Sequence, residues 1–274
     1  MSSALERALA VLELLTENPK GLQVSIVAQK TGMPVSGAHR LLNELARHGY
    51  VRQEGSQGEY ALTVKLAAMG LHFMGKSGIG DIAQPILDRL ASISGELIRL
   101  SVLDEDKLVW VAAAQGATSG LRYDPGKEQG VTVHLASTAG GQALLSTMPD
   151  EEALMLVAAQ GFVSEIESPG VNAPRTAQDL LKRLEETRRR GYSNATDSYI
   201  VGMAAMAVPV RYVDGQTVIG CLSIAGPAVR LSPQRMDELA PALKEAAEEI
   251  GSASDSSLLF RRSSALRKMG EAAG

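Results

Sequence analysis

The stretch that most restricts what this chain can become runs from Val24 to Leu62. A short helical run, Val24 to Lys30, ends at the break Thr31-Gly32-Met33-Pro34. A second helix begins near Pro34–Ser36, because proline is tolerated in a first turn that needs no amide donor. Within it Ala38, Leu41, Leu42, Leu45 and Ala46 recur at helical spacing and predict one buried stripe. Arg40, Asn43 and Arg47 fall on the opposite side, with Ser36, Gly37 and His39 at the helix start and His48 near its end. Gly49 is the predicted stop. Tyr50-Val51-Arg52 and Glu59-Tyr60-Ala61-Leu62 then flank the turn-forming Glu54-Gly55-Ser56-Gln57-Gly58, which predicts a hairpin. Two helices around a glycine turn, followed at once by a hairpin, have the order of a winged helix-turn-helix, whose second helix enters the DNA major groove.

The residues before this stretch predict one more helix. Ser3 and Glu6 have capping-box spacing. Leu5, Ala8, Leu9, Leu12 and Leu15 recur as an apolar stripe, and Asn18-Pro19-Lys20-Gly21 stops it. In the short helix Ile26 and Val27 are the expected core residues.

Charge neither supports nor excludes a nucleic-acid partner. The chain has a net charge of −4. Residues 1–62 balance six Lys/Arg (7, 20, 30, 40, 47 and 52) against six Asp/Glu (6, 13, 17, 44, 54 and 59). Phosphate attraction supplies much of the affinity of DNA readers, so any such surface has to be local: the polar side of the second helix plus Arg52. The bland alternative is a merely solvated helix face.

Other classes are disfavoured. The four histidines (39, 48, 72 and 134) are scattered, and Cys221 is the only cysteine. No metal-ligand spacing, P-loop, dinucleotide fingerprint or nucleophile elbow occurs, so no metal and no cofactor is expected. No apolar run reaches membrane-spanning length, and MSSALERALAVLELL reads as an amphipathic helix, not a signal peptide. With one cysteine, a cytoplasmic setting is expected.

Beyond the hairpin, Thr63–Met74 predicts an apolar-rich helix, and Gly75, Gly78 and Gly80 predict a loosened chain before helical spacing resumes at Ile82–Ile93. Strand-like runs follow at Leu97–Leu103 and Leu108–Ala114, at Leu121–Tyr123 and Val131–Leu135, and at Met206–Tyr212 and Thr217–Ile224. Helices are expected at Ser137–Ser146, Asp150–Ala159 and Asp179–Arg190, the last with Leu180, Leu181 and Leu184 inward. One more starts at Ser232-Pro233, to be kinked or divided by Pro241. Strands first and last with helices between predict an antiparallel sheet with helices packed on it, an α+β domain. Arg188-Arg189-Arg190 reads better as a cationic helix terminus than as a nucleic-acid patch.

Several of these stretches resemble the IclR family of bacterial transcriptional regulators. LERALAVLELLTENPKGLQVSIVAQKTGMPVSGAHRLLNELARHGYV is similar to that family's winged helix. HLASTAGGQALLSTMPDEEAL (134–154), LEETRRRGYSN (184–194) and 203–250 are similar to its effector-binding half. The resemblance implies two domains: an N-terminal α/β winged helix-turn-helix at 1–62 and a C-terminal α+β, GAF-like effector-binding domain with an antiparallel sheet at 81–252. A linker helix and hinge at 63–80 joins them, and a tail follows at 253–274. It implies a ligand-responsive regulator, repressor or activator, that binds operator DNA as a homodimer or dimer of dimers and senses a small organic acid. Ser36, Gly37, His39 and Arg40 would then lie nearest the bases, with Arg40 the best candidate for a bidentate guanine contact. Asn43 shares that face, while Arg47 and Arg52 would touch phosphate.

On the same resemblance the effector pocket comprises Thr138, Ala139, Gly140, Asp197, Met203, Ala205 and Ser223. The free amides entering the helix at Ser137–Gly141 would attract a carboxylate, although Ser223 alone could equally be a satisfied core hydroxyl. The chain departs from the family's usual pattern at Val35 and Gly37, where lysine and threonine are common, and at Ala205 and Ala225, where cysteine and serine are. Two lost polar anchors, with Met203 and Met206 as adaptable apolar surface and Trp110 as a wall if its strand faces inward, predict an aromatic or larger apolar acid over glyoxylate or pyruvate. The competing classes are an enzyme acting on a small acid, with the winged helix used for protein contacts, and an architectural dimer that senses nothing.

Overall fold

The computed structural model describes residues 3–54, 58–117, 120–123, 128–164 and 170–261. The chain forms two compact units, Met1–Lys76 and Ser77–Gly274. The hairpin tip (55–57) and the tail from residue 262 lie outside the described residues.

In the first unit α1 (Ala4–Thr16) opens on the expected box: Glu6 N–H donates to Ser3 Oγ at 3.1 Å, and Ser3 N–H donates to Glu6 Oε2 at 2.7 Å. Helix α2 spans Val24–Thr31, with Gly32 as a left-handed C-cap (φ 66°), and α3 spans Val35–Arg47. The end of α3 is a Schellman pair: Gly49 N–H donates to Ala46 O and Tyr50 N–H to Leu45 O, both 2.9 Å. Strands β1 (Val51–Gln53) and β2 (Tyr60–Leu62) pair antiparallel, Arg52 opposite Ala61. Leu22 adds a bridge to Tyr60 beside them.

The core is Val11, Leu15, Val27, Ala28, Ala38, Leu42, Val51 and Tyr60. Two expectations fail here. The stripe of α1 is turned so that Val11 and Leu15 are buried while Leu5 and Leu9 face outward, and on α2 Ala28 takes the inward place given to Ile26. A 13-residue helix with Leu and Val on several sides offers more than one apolar face, and packing selects among them. Helix α4 (Val64–Ser77) follows, with Val64, Met69, Leu71 and Phe73 all exposed.

The second unit is built on a five-stranded antiparallel sheet in the order β4-β3-β7-β6-β5. Its strands are β3 (Leu97–Asp104), β4 (Lys107–Gln115), β5 (Ser193–Thr196), β6 (Met203–Arg211) and β7 (Val218–Pro227). Helix α5 (Ile79–Ser94) packs on β3 and β4, and α9 (Pro233–Ser252) packs on β6, β7 and α5. Helices α6 (Ala139–Leu145), α7 (Asp150–Gln160) and α8 (Ala177–Arg190) share a second core with Trp110, Ala195, Ala207 and Cys221. Both faces of the sheet are therefore covered, and every residue of the central β7 is buried.

Other expectations are corrected. Of Gly75, Gly78 and Gly80 only Gly78 breaks a helix (φ 72°); Gly75 lies within α4 and Gly80 within α5. Leu121–Tyr123 is no strand, because its carbonyls are taken by side chains: Arg230 Nη1 donates to Leu121 O and Gln115 Nε2 to Tyr123 O. Val131–Leu135 reduces to one bridge, Val109 to Thr132. Strand β5 is an addition. Pro241 does not divide α9, whose Leu239, Leu243, Ala247 and Ile250 keep it seated. Leu180 and Leu184 are buried as expected, Leu181 only partly. Arg188 donates to Ser146 O and Met148 O and pairs with Asp150, which favours the helix-terminus reading of the arginine run. Beyond Ser252 a 3₁₀ turn, Ser254–Ser256, and the fully buried Phe260 pack into the unit.

Gly21 gives a direct check on the first unit. Its φ is 92°, and a Cβ there would meet Tyr60 O at 3.0 Å. Gly21→Ala should cost about 1–3 kcal/mol, read as a lowered midpoint in denaturation followed by far-ultraviolet circular dichroism.

Candidate functional site

Two sets of residues stand out. The first is the polar side of α3. Ser36, His39, Arg40, Asn43, Arg47 and Arg52 are exposed, and Gly37 is half-buried in the first turn. Arg47 pairs with Glu44 at 2.5 Å, and Arg52 with Glu54 at 3.1 Å; both pairs are solvated and contribute little to stability. Arg40 has no hydrogen-bond or ionic partner among the described residues. Asn43 is partly committed: its Oδ1 accepts from Tyr60 OH at 3.2 Å, and its Nδ2 lies 3.4 Å from His39 Nδ1. Tyr60 fills the core with its ring and ties β2 to the polar side of α3 with its hydroxyl.

The second is a narrow cleft on the α6 side of the sheet, with about 30 Å³ of free space. Six of the seven residues expected there line it: Thr138, Ala139, Gly140, Met203, Ala205 and Ser223. Asp197 does not. It closes the β5–β6 connection at φ 49°, its Oδ1 accepting from Gly202 N–H at 2.5 Å. Met206 pairs with Ile224, on alternate positions to the cleft residues Ala205 and Ala225, and so faces the other side of the sheet.

Cross-strand rows build the floor. Ala195, Ala205 and Ala225 form one row and Ser223 opposite Arg99 the next, so the cleft exists where three neighbouring strands carry methyl groups. A bulge sets the wall. Arg99 pairs with Ala113 and Leu100 with Ala112, but Ser101 pairs with Trp110, leaving Val111 as the extra residue. That single insertion turns Trp110 to the face that carries Arg99 and Ser101. Its ring then meets Tyr199 edge-on, centroids 6.0 Å apart.

The roof is the turn entering α6. Thr138 Oγ1 accepts from Gly141 N–H at 3.0 Å and donates to His134 O at 2.8 Å. Gly141 is required there, since a Cβ would fall 2.3 Å from Leu135 O. Ser193 Oγ donates to Ala139 O at 2.7 Å, holding α6 on the sheet. Ser223 Oγ donates to Arg99 O at 3.3 Å, so it is both a bonded core hydroxyl and a cleft residue.

Sequence reasoning missed Arg99, Tyr123 and Tyr199. Arg99 is 7% exposed and pairs with Glu128; its guanidinium carbon sits 4.2 Å from the Trp110 ring centroid and 5.7 Å from that of Tyr123. Tyr123 OH donates to Glu128 as well. Burial, and then the Glu128 carboxylate, push the Tyr123 phenol well above its ordinary range and that of Tyr199 up to about 12. Burial likewise raises the Cys221 thiol. An arginine within the apolar run LIRLSVL was the available signal, since a charge in a buried strand needs a partner.

Comparison with known proteins decides the family. Residues 71–252 match the family model for the bacterial transcriptional regulator IclR C-terminal domain, and residues 4–55 match that for the IclR helix-turn-helix domain. The chain belongs to the IclR family of bacterial transcriptional regulators. The acetate operon repressor of Salmonella typhimurium is 29% identical over 248 residues, covering 90% of this chain and 88% of that one. An IclR family transcriptional regulator from Brucella abortus is 26% identical with a TM-score of 0.70, covering 92% of each chain. An IclR homologue from Microbacterium hydrocarbonoxydans, complexed with 4-hydroxybenzoate, shares the fold at 22% identity and a TM-score of 0.66, covering 91% of this chain and 98% of that one. Among the described residues there is no cluster of three or more potential metal-ligating His, Cys, Asp or Glu side chains, and no helix long and apolar enough to cross a membrane.

His134 couples the cleft roof to pH. Burial lowers its pKa, and its Nδ1 lies 2.7 Å from Ser137 Oγ. The unfolded chain takes up this proton near pH 6.5, where the folded chain does not, so this residue's contribution is present above that pH and lost below it. Urea denaturation followed by the fluorescence of Trp110, the only tryptophan, should show a midpoint that falls between pH 7.5 and 5.5. The His134→Gln variant should show a smaller fall.

Proposed function

We propose that this IclR-family protein binds operator DNA through α3 and the β1–β2 wing, as a homodimer or dimer of dimers, and that its second domain senses an aromatic or larger apolar organic acid. The observation that carries the DNA half is the exposed, unpartnered Arg40 on the polar side of a helix flanked by a hairpin. Ser36, Gly37, His39 and Asn43 would share the base-facing turns, and Arg47 and Arg52 would bind phosphate at the cost only of weak surface pairs. Self-association is supported by apolar side chains with nothing to cover them in the first unit: Leu5 on α1 is 68% exposed and Leu71 on α4 is 74% exposed. A hinge within residues 63–80 would join the two activities.

The effector class rests on the cleft's own residues. Trp110, Tyr123 and Tyr199 give it flat apolar walls, and alanines stand at 205 and 225. Such walls favour a ring over a two- or three-carbon acid, and the cleft has to widen beyond its 30 Å³ of free space to admit one. The Microbacterium hydrocarbonoxydans relative holds 4-hydroxybenzoate; at its identity that is support from fold alone. Effector occupancy would act on DNA binding through its different affinity for two arrangements of the dimer.

Two measurements check this reading. Arg40→Ala should weaken specific operator binding by about 1–3 kcal/mol, and unchanged affinity in a gel-shift titration would remove the base-contact assignment. In a thermal-shift panel, aromatic acids should raise the melting temperature of the second domain. Stabilisation by glyoxylate and pyruvate alone would contradict the effector class.

A further inference from the structure

The cleft contains a charge arrangement that family membership does not supply. Arg99 projects from β3 between aromatic rings, and its positive charge is met by Glu128, which comes from the segment after β4 and not from the sheet. Glu128 accepts from Arg99 Nη1 and from Tyr123 OH. Arg99 Nε is buried with no hydrogen-bond partner. A guanidinium offers five N–H donors in a planar fork that suits a carboxylate, so one edge of this fork is unsatisfied beside the cleft. The rival anion site, the turn entering α6, is already partly used: the Gly141 amide is bound by Thr138 Oγ1 and the Thr138 amide by His134 O.

We propose that Glu128 is an internal counter-ion that the carboxylate of an aromatic effector replaces on Arg99, with the ring lying against Trp110 and Tyr199. This rests on reading the cleft as the effector site. The exchange leaves Arg99 paired at every stage, so no lone charge stays buried, and the released Glu128 regains its hydration. It also costs the segment carrying Tyr123 and Glu128 one of its anchors to the sheet. Gln115 Nε2 to Tyr123 O, 2.8 Å, and Arg230 Nη1 to Leu121 O, 2.7 Å, remain. Arg230 is itself fixed by two bonds to Glu96, at 2.6 and 2.8 Å. Occupancy is thereby linked to the positions of Tyr123 and Glu128, the differential interaction a sensor requires.

The test uses pairs of probes alike in shape but different in charge: benzoate with benzamide, and 2-naphthoate with 2-naphthamide. Binding to the full chain is measured by calorimetry and by Trp110 fluorescence. In the wild type the acids should bind more tightly than the amides by about 10- to 100-fold, the worth of a charge-assisted hydrogen bond. Glu128→Gln, which weakens the internal competitor, should tighten the acids by about 10-fold and leave the amides unchanged. The double variant Arg99→Gln/Glu128→Gln removes both charges without stranding either, and should bring the acids down to the amides. Acid binding that is unchanged or weaker in Glu128→Gln, or an acid preference that survives the double variant, overturns the exchange while leaving an aromatic effector site in place. Failure of the wild type to bind any of the four probes overturns the reading of the cleft, and the exchange with it.

Discussion

Strand β7 is buried at all ten of its positions, and that constraint organises the second domain. A central strand with no solvent face needs a layer on each side. Helices α5 and α9 supply one, against the alternate residues Ile98, Leu100, Leu222 and Ile224. Helix α6 and its neighbours supply the other, but the row beneath them is Ala195, Ala205 and Ala225, and methyl groups do not reach the overlying turn. The space left over is the cleft. A leucine at 205 or 225 would close it.

What surrounds that space is as important as its size. The bulge at Val111 turns the one tryptophan toward it, and Arg99 then stacks over that ring. A buried arginine has to be paired, so the segment after β4 is drawn in to supply Glu128. Aromatic walls, cation and counter-ion thus follow from one extra residue in β4 and one charged residue in β3. The first domain solves a different problem with a small core. Tyr60 closes that core, and its hydroxyl holds Asn43 on the outer side of α3, so the hairpin and α3 are fixed to each other.

The parts of the molecule readable from residues were those with a period or a cap. The Ser3–Glu6 box, the break at Gly32 to Pro34, the stop at Gly49 and the β3–β4 and β6–β7 hairpins all have local causes. The parts that were not readable depend on partners distant in the chain. Strand β5, Ser-Asn-Ala-Thr, has little apolar character and exists because β6 offers it a ladder. Leu121–Tyr123 looks like a strand but is bonded by the side chains of Gln115 and Arg230. Leu5 and Leu9 follow the helical period and still face outward, because the core settles on Val11 and Leu15. In the cleft, the small residues and Thr138 were legible through family resemblance. Asp197 was misplaced because a carboxylate in a loop can as well cap its own turn, and Arg99 was missed because its partner lies 29 residues away.

In the proposed function, a metabolite held by the sheet domain governs DNA binding by the winged helix. Footprinting on the DNA upstream of the protein's own gene and its neighbours, with and without an aromatic acid shown to bind the cleft, tests it most directly. A discrete protected segment whose extent or strength changes when the acid is added is the expected result. No protection at any concentration, or protection indifferent to an acid that saturates the cleft, would contradict it.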